Sequence, residues 1–438
     1  MIETQTIPTE IGTAGTQSDR RLHLLMVTGS YAPDRTGMAP LNTELCEYLV
    51  SRGHQVSVVT CFPHYPEWKV PEAYRGRLWQ REARNGVEVY RSWILIPRKR
   101  TPLRRILYDS SIGLSAALRG LPIRGVDLIF AVSPPLQAGL AGWFLARIRR
   151  TPLLLQIKDL VPDLAIALGM LRNRAAIRLA RALENFVYRR AEAILVICDS
   201  FAAHLRAKGV PESKLFVIPD WVDTRFIRPG FQLNGFRRTH GLGETDFLVL
   251  HIGNMGAKQK LENVLEAATY LQQEQQIAIC FVGDGTEKNF LCEYAQSRGL
   301  SRVRFLPLQP RETLPEMLSA ADALVLNQSA KVVDMVIPSK LLTYMAAGRS
   351  VVAAVAAQSE AAACIERARC GLVVPPEHPV ALAQAIRRLN ADRKLAARLG
   401  EEGRRFAEQH FDRERILGSL EGCFLSFAEK KRRRARFQ

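Results

Sequence analysis

Short apolar runs that stop at a glycine- or proline-bearing turn and give way to helical spacing recur along the whole chain, and this alternation constrains the fold most. In the second half, Phe247 to Ile252 is such a run, followed by Gly253-Asn254-Met255-Gly256-Ala257-Lys258 and then by Leu261, Val264, Leu265, Ala268 and Leu271 at helical intervals. Ile277 to Val282 repeats the arrangement, stopping at Gly283-Asp284-Gly285 before a helix from Thr286. In the first half, Leu22 to Val27, Gln55 to Cys61, Val87 to Trp93, Leu128 to Val132, Leu153 to Ile157 and Ile194 to Cys198 read as strands, and Pro40 to Arg52 as a helix. Such alternation predicts an α/β fold with parallel sheets covered by helices. A chain of 438 residues exceeds one core and suits two domains of roughly 200 residues each. Trp221 to Gly235, with Pro229-Gly230 and little periodicity, reads as the linker.

The turns carry the chemistry. Gly253 and Gly256 allow a ligand close to the backbone, amides at the following helix start suit phosphate oxygens, and Lys258 adds a mobile cation. An ordinary βα turn with a solvated lysine has the same local sequence. Gly283 and Gly285 repeat the logic at a second strand end. Pro338-Ser339-Lys340 opens a third helix, Leu341 to Ala347, offering amides, a hydroxyl and a second lysine. Ligands of open parallel sheets bind at the carboxyl ends of strands, so the three ends are expected at one crevice.

Together with Pro307-Leu308-Gln309 and Cys370-Gly371-Leu372-Val373-Val374-Pro375-Pro376, these motifs resemble the GT-B glycosyltransferases of the retaining family 4, notably bacterial exopolysaccharide, colanic acid and O-antigen enzymes. The resemblance runs from about Leu22 to about Phe411. It implies two Rossmann-like domains facing a central cleft, with the last helix returning to the first domain. The expected division is a disordered tail at 1–20, an acceptor domain at 21–225, a nucleotide-sugar domain at 236–410, and a C-terminal helix with a basic tail at 411–438. It further implies transfer of a sugar from a nucleoside diphosphate donor with retention at the anomeric carbon, the leaving phosphate serving as base. The diphosphate would rest on Gly253, Asn254, Gly256, Lys258, Gly283, Gly285, Pro338, Ser339 and Lys340, with Lys260 nearby. The nucleobase would lie beside Leu308. Gly37, in the loop Gly29 to Gly37 after the first strand, would face the donor. No cofactor is expected, and the absence of Asp-x-Asp argues against a metal-dependent GT-A mechanism.

The chain departs from the family at several positions. Lys158 stands where many relatives have histidine, which leaves Asp159 as the preferred cleft residue of the first domain, orienting the acceptor or the sugar; a plain helix cap is the alternative. The family's paired glutamates are incomplete: Leu342 or Thr343 occupies the second position, and Asp334 is the carboxylate near the first. Asp334 is expected to bond sugar hydroxyls or to cap a loop. Asn254 and Lys260 replace a usual arginine and glycine. Two other functions share the architecture, a degenerate sugar-binding scaffold and a nucleotide-sugar 2-epimerase.

Charge points to a surface. The net charge is +18, and residues 51–150 alone hold 17 basic against 6 acidic side chains. Arg98-Lys99-Arg100 and Arg104-Arg105 stand beside Ile106, Leu107, Tyr108, Ile112 and Leu114, a pattern expected to face an anionic inner leaflet and bring the cleft to a lipid-linked saccharide acceptor. A solvated basic face is the alternative. No nucleic-acid-binding signature accompanies the charge, so no nucleic-acid partner is expected. No secretory signal is expected at the polar start, and Leu128 to Ile148, broken by Pro134-Pro135, does not span a bilayer. Eight dispersed cysteines lack metal spacing and read as reduced core residues of a cytoplasmic protein peripherally bound to the membrane.

Overall fold

The computed structural model describes residues 21–34, 37–65, 68–97, 101–161, 163, 166, 171–330 and 338–436. The chain divides into two compact units, one ending at Pro219 and resuming at Ile416, the other Asp220–Arg415.

The first unit holds β1 (His23–Val27), β2 (Gln55–Cys61), β3 (Trp79–Arg84), β4 (Val87–Ser92), β5 (Leu128–Ser133), β6 (Leu153–Ile157), β7 (Ala193–Val196) and β8 (Leu215–Val217) in the order β3-β4-β2-β1-β5-β6-β7-β8. All neighbours are parallel except β3 and β4, a hairpin turned by Asn85-Gly86 with both residues at positive φ. The connecting helices are α1 (Ala39–Ser51), α2 (Pro102–Gly120), α3 (Leu136–Arg149), α4 (Arg174–Arg190) and α5 (Asp199–Ala207). β1, β5, β6 and β7 are buried along their whole lengths, which is why they read as continuous apolar runs.

The second unit carries a parallel sheet in the order β11-β10-β9-β12-β13-β14, built from β9 (Phe247–Ile252), β10 (Ile277–Val282), β11 (Val303–Leu306), β12 (Ala323–Asn327), β13 (Ser350–Ala354) and β14 (Gly371–Val374). Its helices are α6 (Gly235–Thr239), α7 (Glu262–Tyr270), α8 (Lys288–Ser297), α9 (Leu314–Ala320), α10 (Ser339–Ala346), α11 (Glu360–Ala368), α12 (Pro379–Ala391) and α13 (Arg393–His410). Cores lie on both faces, one around Leu250, Leu324 and Met345, the other around Phe281, Val325 and Leu265. The stretch expected as a linker instead packs onto this unit. Trp221, Val222 and Ile227 are buried, and Val222 exchanges backbone bonds with Phe411 and Arg413. Its apolar anchors lack periodicity because they fill gaps rather than form an element.

The last helix, α14 (Arg413–Arg436), belongs from Ile416 onward to the first unit. Phe424 is fully buried with its ring 5.0 Å from that of Phe130, and Phe427 packs on Phe216. Glu421 accepts bonds from Tyr48 Oη at 3.0 Å and from Arg52 and is bonded to His54 Nε2 at 3.0 Å. Although burial opposes ionisation, those partners hold its carboxyl below the usual range.

Candidate functional site

In the second sheet, the chain steps from β9 to β10 on one side while β12 lies on the other, so the strand order reverses between β9 and β12. This is where open α/β sheets bind ligands. Lys340, in the first turn of α10, extends over Gly253 at the end of β9: a Cβ added to Gly253 would sit 2.9 Å from Lys340 Cε and 3.2 Å from Nζ. The same ammonium lies 3.2 Å from His251 Nε2. Burial lowers Lys340 to about 8. Burial first, and the lysine's charge second, lower His251 to about 3, so the ring is neutral. Tyr344, one turn on in α10, accepts from the Ile252 N–H at 3.2 Å and ties the helix to the end of β9. Among the described residues no side chain caps α10, whose N-cap residue is Pro338, and Ser339 is exposed beside it.

Buried amides shape the loop after β9. Asn263 donates to Asn327 at 2.8 Å, and Asn327 donates to the carbonyls of Gln259 and Lys260. Lys258 is exposed at the tip, and its carbonyl accepts from the Ser329 N–H after β12. Lys260 pairs with Glu262 at 2.9 Å, so its ammonium is already matched by a carboxylate. The Gly256 N–H and the Asn254 amide both donate to Gln259 Oε1 at 3.2 Å, so that amide is occupied within the loop rather than open to an anion.

Gly283 and Gly285, expected at the diphosphate, also let neighbouring loops meet. A Cβ on Gly283 would stand 2.9 Å from the Gly253 carbonyl carbon, and one on Gly285 would stand 2.5 Å from that of Met255. Gly253 N–H bonds to Val282 and Met255 N–H to Asp284. These glycines let two loops stack backbone on backbone, which is a packing role. Leu308 is 72% exposed just beyond β11, two strands from β9, a lateral step of about 10 Å. Asp334 lies outside the described residues.

In the first unit, Gly37 has φ +65° and open space around it, just before α1. The preceding loop is pinned by Asn42, which donates to Thr28 Oγ1 and the Ser30 carbonyl, and by Arg91, which donates to the Ala32 carbonyl. Asp159 is half-buried immediately past β6, and the neighbouring Lys158 is buried, its N–H bonded to Ser133. A polar knot absent from the sequence reading lies nearby: Asp163 pairs with Lys208 and with His204 at 2.8 Å, and Lys208 also pairs with Glu184, to which Tyr188 donates.

The apolar residues around the basic cluster are divided by α2. Tyr108 and Ile112 are buried and belong to the core, contrary to the expectation that they face a membrane. The outward stripe is Leu103, Leu107, Leu114 and Leu118, all exposed, continuing to Leu121. At about 100° per residue these positions fall within one narrow sector, opposite Tyr108, Ile112 and Ala116. Exposed Arg104 adjoins the stripe. Arg98-Lys99-Arg100 lies outside the described residues. Among the described residues no helix is long and apolar enough to cross a membrane.

Comparison with known proteins decides the family. The Glycosyl transferase 4-like domain matches residues 36–221, and Glycosyl transferases group 1 matches residues 234–406. A colanic acid biosynthesis glycosyl transferase, WcaI of Escherichia coli K12, is 30% identical over 404 residues, covering 90% of this chain and 98% of its own. The chain belongs to the group 1, family 4-like glycosyltransferases. Solved structures agree on the GT-B fold of this glycosyltransferase: Anabaena HepE in complex with UDP superposes with TM-score 0.69 at 18% identity over 92% of this chain and 100% of its own. Sucrose-phosphate synthase from Thermosynechococcus elongatus gives 0.68 at 21% identity over 92% and 98%. Sequence reading gave no part to His251, Asn263, Asn327 and Tyr344, which shape the loop after β9 and tie it to α10. Their signal is a polar group inside or at the end of an apolar element.

Proposed function

We propose that the enzyme transfers a glycosyl group from a UDP- or GDP-sugar, with retention, to a lipid-linked or growing saccharide in cell-surface polysaccharide assembly. The observation that carries the donor reading is the Lys340 ammonium held over Gly253 at the β9/β12 reversal, beside the helix start at Pro338 and within the same loop system as exposed Lys258. The solved complexes of HepE with UDP and with UDP-glucose, and the colanic acid role named for WcaI, support this reading.

In the proposed reaction the bond from the anomeric carbon to the phosphate oxygen breaks, and the nucleoside diphosphate departs with the bonding electrons. Lys340 and Lys258 stabilise the charge that develops there, without a metal. The acceptor hydroxyl bonds to the anomeric carbon on the same face and passes its proton to the departing phosphate oxygen. Asp159 orients the acceptor and Asp334 bonds donor hydroxyls. Loss of nucleoside diphosphate release in Lys258→Ala, assayed over a UDP- and GDP-sugar panel with a membrane fraction as acceptor, is the expected result. Tight donor binding with no release under any condition would instead identify a sugar-binding scaffold.

The leucine stripe of α2, flanked by arginine, supports docking on the anionic cytoplasmic leaflet, with the leucines entering the headgroup region. Flotation with anionic vesicles tests it: wild type is expected to float and a Leu107→Ser, Leu114→Ser, Leu118→Ser variant to remain below. Equal flotation of both would refute the stripe's role.

A further inference from the structure

We infer that His251 is a positioning residue that fixes the Lys340 ammonium at the mouth of the β9/β12 crevice; this rests on the donor site proposed above. β9 is an apolar strand buried on both faces, and His251 is 1% exposed within it. A polar ring in such a place is costly unless its nitrogens are hydrogen-bonded, and an aliphatic residue would serve the strand better. What the ring supplies is an acceptor. A charged lysine has three donors and no acceptor, so Nε2 at 3.2 Å must offer its lone pair. The proton is then on Nδ1, a buried nitrogen without a hydrogen-bond partner, so the Lys340 contact is kept at the expense of the bond that an Nε2–H would make to the Asn254 carbonyl 3.4 Å away. The neutral state imposed by burial keeps the lone pair available.

The remaining geometry converges on the same lysine. Its stem crosses Gly253, where any side chain would displace it. Tyr344 locks the helix that carries it to the end of β9. The ring of Phe281 on β10 lies 6.0 Å from the imidazole and backs it from the next strand. A lysine has a long flexible stem, and an ammonium left free would sample many positions before meeting an anion. Held by His251, it presents its other N–H groups without that loss, which is preorganisation of the kind that separates binding sites from surface charge.

The experiment is a double-mutant cycle read by calorimetric binding of UDP and GDP to the full chain. His251→Phe is expected to weaken binding by about tenfold, since one charge-assisted hydrogen bond is lost. His251→Gln, which keeps an acceptor, stays within about threefold of wild type. In a Lys340→Met background, adding His251→Phe changes affinity by less than about twofold, because the group it positions is gone. A merely structural histidine would lower affinity equally in both backgrounds, and that result overturns the inference. Unchanged affinity in His251→Phe beside a large loss in Lys340→Met overturns it too, while leaving the donor site standing. If wild type binds neither nucleotide, the donor site itself falls and this inference with it. Should His251→Phe not fold, His251→Met supplies the same cycle with a flexible side chain of similar bulk.

Discussion

Gly283→Ala separates the packing role of the glycines from a ligand-approach role. The residue has φ +143°, and a Cβ there would stand 2.9 Å from the Gly253 carbonyl carbon and closer still to its oxygen. Neither neighbour is the loose end of a side chain; the Gly253 backbone is pinned by its N–H bond to Val282. The overlap must therefore be relieved by parting the two loops. Overpacking of a close-packed interior costs about 1–3 kcal/mol, and an L-residue at positive φ adds about 1–2 kcal/mol. The sum, about 2–5 kcal/mol, corresponds to a fall in melting temperature of roughly 4–20 °C for a domain of this size. Thermal denaturation, with hydrogen exchange of peptides from 247–306 to assign the transition, is the assay. Gly37→Ala is the control: its φ is +65° but no atom of the described residues lies within reach of a Cβ, so only the backbone term of about 1–2 kcal/mol applies. If Gly283→Ala keeps wild-type stability while nucleotide affinity collapses, the glycine serves the ligand and the packing argument is wrong.

Phe424→Ala should cost the first unit about 3–5 kcal/mol through the cavity it leaves beside Phe130, measured by denaturant unfolding. Nucleotide affinity should fall as pH rises through about 8, where Lys340 loses its proton, and calorimetry across pH 6.5–9.5 should show the slope vanish in Lys340→Met. Burial disfavours the Asp163 carboxylate, but hydrogen bonds from Lys208 and His204 outweigh it, and its folded pKa lies below the usual range. A depressed carboxyl pKa contributes stability that is present above the unfolded value, near pH 4, and is lost as pH falls through the folded one. Melting of the first unit between about pH 5 and 2 should therefore drop less steeply in Asp163→Asn than in wild type.

Strands whose both faces are buried were the most legible. Phe247 to Ile252 and Ile277 to Val282 appear as β9 and β10 with those same ends, because a parallel strand under helices has no polar face to blur the run. β3 escaped for the opposite reason. Trp79–Arg84 is a polar edge strand with mostly exposed side chains, and the Asn85-Gly86 turn is its one local hairpin signal. α2 is apolar on two sides, so its buried residues, Tyr108 and Ile112, could not be told from its exposed leucines without knowing which face the sheet covers. At the site, glycine spacing located the loops but not their purpose. Whether Gly283 admits a phosphate or a neighbouring carbonyl depends on a loop thirty residues earlier, to which local sequence is blind. Lys260 was indistinguishable from Lys258 until Glu262 was seen to claim it. His251 was hidden as one polar letter in an apolar strand, where its value lies in a contact with residue 340.

The return of α14 has a consequence for how the protein is made. The first unit cannot cover Phe130 or satisfy His54 until residues beyond Ile416 exist, yet its sheet is complete at Val217. Between those points the ribosome must deliver all of Asp220–Arg415, which at about 5–20 residues per second takes roughly 10–40 s. The usual order, in which the amino-terminal domain closes first, is thereby inverted. The second unit can finish on the nascent chain while the first waits with an open apolar groove, and the helix from Ile416 onward is what seals it.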